Sequence, residues 1–365
     1  MKRILLLFMI ITCTAHAQNT GIVFEKSPLS VSLLKAKKEN KLVFVDCYTV
    51  WCGPCKEMAK DVFTLDSVGT FFNKNFINVQ LDMEKGEGKS AVVKYHIEAY
   101  PSFLLLDGDG NLVYKFVGAM SAKDFIAKIK EGQNPSNRVL VMNKMYADGD
   151  RSKAFLRDYI KVKIDMMEKT EGVKIAEQYF DLLSPQEKLL PENWYLFGSN
   201  RYAMYLSDVH SRNFNYLGDH WREFAAVNGK EVVEERLVSM YLKTAEYCLH
   251  GWYFKNSQNE IHPYQPAEFD HYHAQINATE LDNKEGLIVL MDMAQSAGER
   301  DTIKLARLFA DKFAVLNKKN QSVAFTYMMA FSKRGSQQAR LAYREAMDKV
   351  VLTSKDERIT SLAKH

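Results

Sequence analysis

Two regimes of hydrophobic patterning divide the chain. Up to about residue 133, short apolar runs alternate with helical stripes, and from Arg138 onward helical spacing alone recurs. Gly21 to Glu25 is a short strand candidate, and Ser27 or Ser30 can cap a helix carrying Leu33, Leu34 and Ala36 to Lys38. Leu42 to Tyr48 is apolar at nearly every position, as a strand covered on both faces should be. Met58, Val62 and Phe63 then share a helical face, Asp66 to Asn75 continues as helix, and Ile77 to Leu81 reads as strand. Gly86 to Tyr95 has helical spacing, and Ser102 to Leu106 is the next strand. The turn Asp107-Gly108-Asp109-Gly110 predicts an antiparallel hairpin with Leu112 to Val117, and Ser121 with Asp124 opens a last helix. The predicted order is βαβαβαββα. Helices between the early strands predict parallel central pairings, and the hairpin makes the sheet mixed.

Asn134-Pro135-Ser136-Asn137 reads as a linker, so the expected divisions are 1–17, 18–133 and an all-helical region 134–365. Ser184-Pro185-Gln186-Glu187 is a strong helix start, with a capping serine, a first-turn proline and a glutamate three residues on. Helical stripes follow at Ile175, Tyr179, Leu182 and Leu183, at Leu237, Tyr241, Ala245 and Cys248, at Leu305, Leu308, Phe309 and Phe313, and at Ala324, Met328 and Phe331. The polar break Asn256 to Pro266 can subdivide them. Helix pairs occur without a repeating signature, which predicts an irregular helical bundle or helix-pair array.

Composition adds bounds. At 47% hydrophobic and 26% charged the chain is an ordinary globular protein. Lys2-Arg3, the apolar run Ile4 to Ile11 and Ala15-His16-Ala17 follow the order of a secretory signal cleaved after Ala17. The run is short of the roughly 20 residues that cross a bilayer, which argues against an uncleaved anchor. Thr12 stands where a lipoprotein signal has a small residue, which argues against lipidation at Cys13. The expected protein is exported, periplasmic and not membrane-spanning. Losing Lys2 and Arg3 brings the formal charge from +4 to +2, which argues against a nucleic-acid partner.

Four cysteines remain after such cleavage: Cys47, Cys52, Cys55 and Cys248. That is few for a disulfide scaffold, and a chain of this length buries a core without them. Cys52 and Cys55, separated by two residues at a strand-to-helix junction, can exchange two thiols for a disulfide. A zinc site needs four ligands, and no second such pair completes one. Cys47 alternates with Asp46 on the strand and reads as a buried thiol, as does Cys248. His262, His271 and His273 lie close in sequence without the spacing of a metal-binding helix, so no metal and no cofactor are expected.

Residues 21 to 132 resemble a thioredoxin domain. The resemblance rests on Trp51-Cys52-Gly53-Pro54-Cys55-Lys56, on Asp46 six residues before Cys52, on Tyr100-Pro101 before the fourth predicted strand, and on Gly118 closing the last. It implies a thioredoxin fold, a central mixed sheet flanked by helices, ahead of the helical region. Such an order resembles exported thioredoxin-like proteins of Bacteroidetes-type bacteria. The resemblance makes Cys52 the attacking thiolate, favoured by the helix amino terminus, and Cys55 the resolving thiol. Asp46 becomes a buried carboxylate that takes the Cys55 proton, and Pro101 a cis-proline beside which an extended client pairs. Trp51, Gly53, Pro54, Tyr100 and Pro101 form the expected docking surface. Tyr100 departs from the small or β-branched residue common there.

Gly53-Pro54 matches the reducing members, since oxidases and isomerases usually carry a histidine between the cysteines. The leading expectation is therefore reduction of protein disulfides, with a membrane partner supplying electrons. A disulfide oxidase or isomerase is the enzymatic alternative. A protein-binding helical module on a redox-sensitive thioredoxin scaffold is the alternative of a different class.

Overall fold

The computed structural model describes residues 21–255, 262–331, 336–354 and 356–362. The expected signal segment 1–17 with Cys13, and residues 256–261 of the polar break, lie outside them. Among the described residues no helix is long and apolar enough to cross a membrane. The chain forms two compact units, the first ending at Ile175 and the second beginning at Ala176.

The first unit is built on a four-stranded sheet of order β2-β1-β3-β4. Its strands are β1 (Leu42–Tyr48), β2 (Phe76–Asp82), β3 (Ser102–Leu106) and β4 (Leu112–Val117). The connecting helices are α1 (Leu29–Glu39), α2 (Gly53–Glu57), α3 (Asp66–Asn75) and α4 (Gly86–Lys94), and α5 (Ala122–Gln133) follows β4. Strand alternation sorts the core into two layers. Val43, Val45, Cys47, Leu104 and Leu106 face Ala36, Ala91 and Tyr95 of the first helical layer. Phe44, Phe103, Leu105 and Phe116 face Met58, Phe72, Phe125 and Ile129 of the second. Phe72 stacks on Phe125 at 4.9 Å between ring centres, with Phe44 edge-on to Phe72 at 4.7 Å.

Four readings of the sequence are corrected. Gly21 to Glu25 forms no strand: Asn73 and Asn78 side chains take up the Val23 backbone N–H and C=O that a ladder would need. Neither Ser27 nor Ser30 caps α1; the Leu29 N–H at its start donates to Glu87 Oε2 at 2.7 Å. The Met58 to Phe63 stretch does not run on into Asp66 to Asn75. A π-helical turn at Met58–Val62, closed by Phe63 N–H to the Met58 carbonyl, ends it, and α3 starts afresh. The central pairings are not all parallel: β1 and β2 are, but β1 and β3 are antiparallel. Ser102 enters opposite Cys47, at the same end where Asp82 leaves beside Tyr48, so α4 never carries the chain back along the sheet.

The β3–β4 hairpin forms as expected, its turn tied by Asp107 Oδ1 accepting from the Asp109 and Asn111 N–H groups. Asn137 caps α6 (Arg138–Ala147), which is followed by α7 (Lys153–Asp165) and α8 (Lys169–Leu182). The first unit includes α6, α7 and the first turns of α8. Glu98 accepts from the Lys169 and Thr170 N–H groups at the start of α8, at 3.0 and 3.1 Å. Glu168 makes an ion pair with the buried Lys115 of β4 at 2.8 Å. Lys115 also donates to the Tyr95 and His96 carbonyls. Burial pulls the Lys115 ammonium down despite Glu168. Burial alone would raise the Glu168 carboxyl, but Lys163 and Lys115 outweigh it and hold it below the usual range.

The second unit is a helical assembly. Its helices are α9 (Pro185–Leu189), α10 (Ala203–Leu206), α11 (Arg212–Asp219), α12 (Trp221–Asn228), α13 (Lys230–His250) and α14 (Pro266–Ala278). They continue with α15 (Lys284–Gly298), α16 (Thr302–Lys312), α17 (Lys318–Phe331), α18 (Gln337–Thr353) and α19 (Glu357–Leu362). Ser184 and Glu187 form the expected reciprocal cap of α9. The stripe Leu237, Tyr241, Ala245 and Cys248 is buried throughout, whereas Leu182 of the first stripe is 46% exposed.

Candidate active site

β1 ends at Tyr48, and a tight turn from the Thr49 carbonyl to the Cys52 N–H delivers the chain to α2. Cys52 is the capping residue of α2, Pro54 sits in its first turn and Cys55 lies one turn in, an order that suits proline's missing N–H. The two sulfurs are joined as a disulfide. The Cys55 N–H points at Cys52 Sγ, 3.1 Å away. Cys52 and Cys55 are 3% and 5% exposed, so a partner reaches the pair only at its edge.

Asp46 is buried on the sheet face that carries Phe44, the face packed against Met58. Burial pushes its carboxyl up to about 7, against the opposing hydrogen bond from Gln80 Nε2 to Oδ2 at 3.0 Å. Oδ1 is buried without a hydrogen-bond partner among the described residues. Cys47, on the opposite face, is buried and free, and burial pushes its thiol up. Cys248 is likewise a buried free thiol.

The Tyr100–Pro101 peptide bond is cis. The Pro101 carbonyl accepts from the Gly118 N–H at 2.9 Å, and Gly118 has φ +103°, a conformation that favours glycine. Trp51 is 64% exposed and meets Tyr100 edge-on at 6.0 Å, its indole N–H donating to Glu84 at 2.9 Å. Gly53 and Pro54 are exposed beside it. Trp51 and Tyr100 thus form one aromatic wall next to Cys52.

Sequence reasoning missed two supporting residues. Gln80 is an amide in an apolar strand, and equal register of two parallel strands would have set it beside Asp46. Glu84 carried no local signal. The three histidines named from the sequence are not brought together: His271 lies 3.1 Å from Asp219, His273 2.8 Å from Asp292, and His262 3.0 Å from Glu268.

A thioredoxin-like domain model matches residues 29–133. Thioredoxin-T of Drosophila melanogaster is 33% identical over 109 residues, 30% of this chain and 63% of that protein. Thioredoxin H-type of Oryza sativa subsp. indica is 35% identical over 106 residues, 28% of this chain and 81% of that protein. A proposed disulphide-isomerase from Bacteroides thetaiotaomicron, solved in solution, is 44% identical, with 98% of that chain and 32% of this one covered and a TM-score of 0.31. The chain spans 63%, 50% and 53% of the first three curated relatives it matches. With the paired cysteines at the start of α2, the buried Asp46 and these sequence likenesses, the chain belongs to the thioredoxin family.

Proposed function

We propose that the protein is an exported thiol–disulfide oxidoreductase that reduces disulfides of protein clients through Cys52 and Cys55. The observation that carries this reading is the pair itself, joined at the start of α2 with the Cys55 N–H aimed at Cys52 Sγ. In the reduced protein that N–H and the helix amino terminus favour Cys52 as thiolate. A fall from about 8.5 to about 7, the value of thioredoxin, raises the thiolate from a few per cent to about half and corresponds to about 2 kcal/mol.

The Cys52 thiolate attacks one client sulfur, the client disulfide breaks, and its other sulfur leaves as a thiolate that takes up a proton. Cys55 then loses its proton and attacks Cys52 Sγ, which breaks the mixed disulfide and releases the second client thiol. Two electrons and two protons pass from the dithiol to the client, leaving the Cys52–Cys55 disulfide. Asp46, held near 7, is the base assigned to the Cys55 proton. The Pro101 carbonyl is taken by Gly118, so an extended client segment would pair with backbone on the Tyr100 side, against the wall of Trp51 and Tyr100 and beside Gly53 and Pro54.

The charged, apolar and small-residue order of residues 1–17 supports export to the periplasm, with cleavage after Ala17. A reductant there has to be recharged with two electrons, which assigns a membrane dithiol donor as partner. Insulin-disulfide reduction by the mature protein should vanish in Cys52→Ser; activity that persists there removes the assignment. The reduction potential decides direction: a value near that of thioredoxin, about −270 mV, supports reduction, and one above about −180 mV assigns oxidation or isomerisation.

A further inference from the structure

We propose that the helical unit holds a divalent metal site made by His210, His262 and Glu268, separate from the thiol chemistry of the first unit. One ligand atom from each of the three lies within 4.8 Å of the others. His210 stands in the turn before α11, His262 in the segment before α14, and Glu268 in the first turn of α14. The two imidazole rings are 3.9 Å apart, and His262 Nε2 lies 3.0 and 3.1 Å from the two Glu268 oxygens. Donors bound tetrahedrally at about 2.0–2.1 Å stand about 3.4 Å apart, so a metal replaces the His262–Glu268 contact with little movement, and His210 brings the third donor from within 4.8 Å of both.

The surroundings are those of a ligand set. Glu268 accepts a hydrogen bond from the buried Tyr253 hydroxyl at 3.0 Å, and that hydroxyl lies 3.1 Å from the Tyr272 hydroxyl. His210 Nε2 lies 2.7 Å from the Tyr253 carbonyl, which fixes the ring and leaves Nδ1 for the metal. His210 holds φ +66°, a sparsely populated conformation for a side chain of this size. His262 also lines a cavity of about 640 Å³ with His250, Arg300 and Tyr327, which provides an entry path. Two imidazoles and one carboxylate suit Zn²⁺ and leave a position for water.

The test is Zn²⁺ binding by the full chain, stripped with chelator and kept with Cys52–Cys55 oxidised, because a reduced dithiol binds zinc itself. Competition against a chromophoric chelator should show one site. His210→Asn, whose replacement tolerates the positive φ, His262→Gln and Glu268→Gln should each weaken it at least about tenfold, and His271→Gln should leave it unchanged. Tyr253→Phe, which removes one hydroxyl from behind Glu268, should weaken it about tenfold even if a ligand variant fails to fold. No uptake by the oxidised chain, or uptake that survives in His210→Asn and Glu268→Gln, overturns the site.

Discussion

Gln80 donates one hydrogen bond to Asp46 across the parallel β1–β2 pair, while the other carboxylate oxygen of Asp46 is buried without a partner. Burial therefore wins over the single donor and holds the carboxyl near 7, raised from 3.8. Between those two values the folded chain keeps a proton that the unfolded chain has lost, so stability falls as pH rises, and above about 7 the full cost is present. Asp46→Asn should raise stability at pH 8 by up to about 4 kcal/mol, from about three pH units at about 1.4 kcal/mol each, and should change it little near pH 3. Urea denaturation at both pH values checks this. The same variant should lose more turnover at pH 7 than at pH 9, where Cys55 sheds its proton unaided.

Glu168→Gln should cost about 3–5 kcal/mol, because it leaves the buried Lys115 ammonium uncompensated. Lys115→Met combined with Glu168→Gln should recover the part of that loss due to Lys115, while Lys163 still lacks its acid. A double-mutant cycle by urea denaturation measures the difference, and additive losses would show the pair to be uncoupled.

Trp51→Ala should raise KM for a protein client about three- to tenfold, the size of an aromatic contact of about 0.5–1.5 kcal/mol, with kcat little changed. A small-molecule disulfide, which does not span the Trp51–Tyr100 wall, should be reduced as before. Glu84→Gln should have a smaller effect in the same direction, since it loosens the indole without removing it.

Ser184→Ala removes the side chain that accepts from the Glu187 N–H at the start of α9. Thermal or urea denaturation should show a loss of about 1 kcal/mol.

Much of the first unit was legible because its determinants are local. Leu42 to Tyr48, Ser102 to Leu106 and Leu112 to Val117 are apolar runs bounded by turn residues, and their strands begin and end where the pattern does. The Gly21 to Glu25 run failed as a strand because Asn73 and Asn78, distant in sequence, satisfy Val23 instead. The direction of β3 depends on how far α4 travels, which apolar spacing does not encode. At the site, Cys52 and Cys55 could be named from their spacing, and Asp46 and Pro101 from the resemblance to thioredoxin domains. Gln80, Glu84 and the meeting of His210 with His262 arise from tertiary approach and leave no mark at short range.

The lysine inside β4 constrains how the sequence can drift. Position 115 faces an apolar layer, so a lysine survives there only while an acid arrives from outside the sheet, and position 168 supplies it. Neither residue can change alone without a penalty, and Lys163, the second partner of Glu168, has to change with them. Among chains of this family, a lysine in the middle of the last strand should therefore travel in inheritance with a helical extension carrying an acid near its third helix. Chains that stop at the domain's end should place an aliphatic residue there.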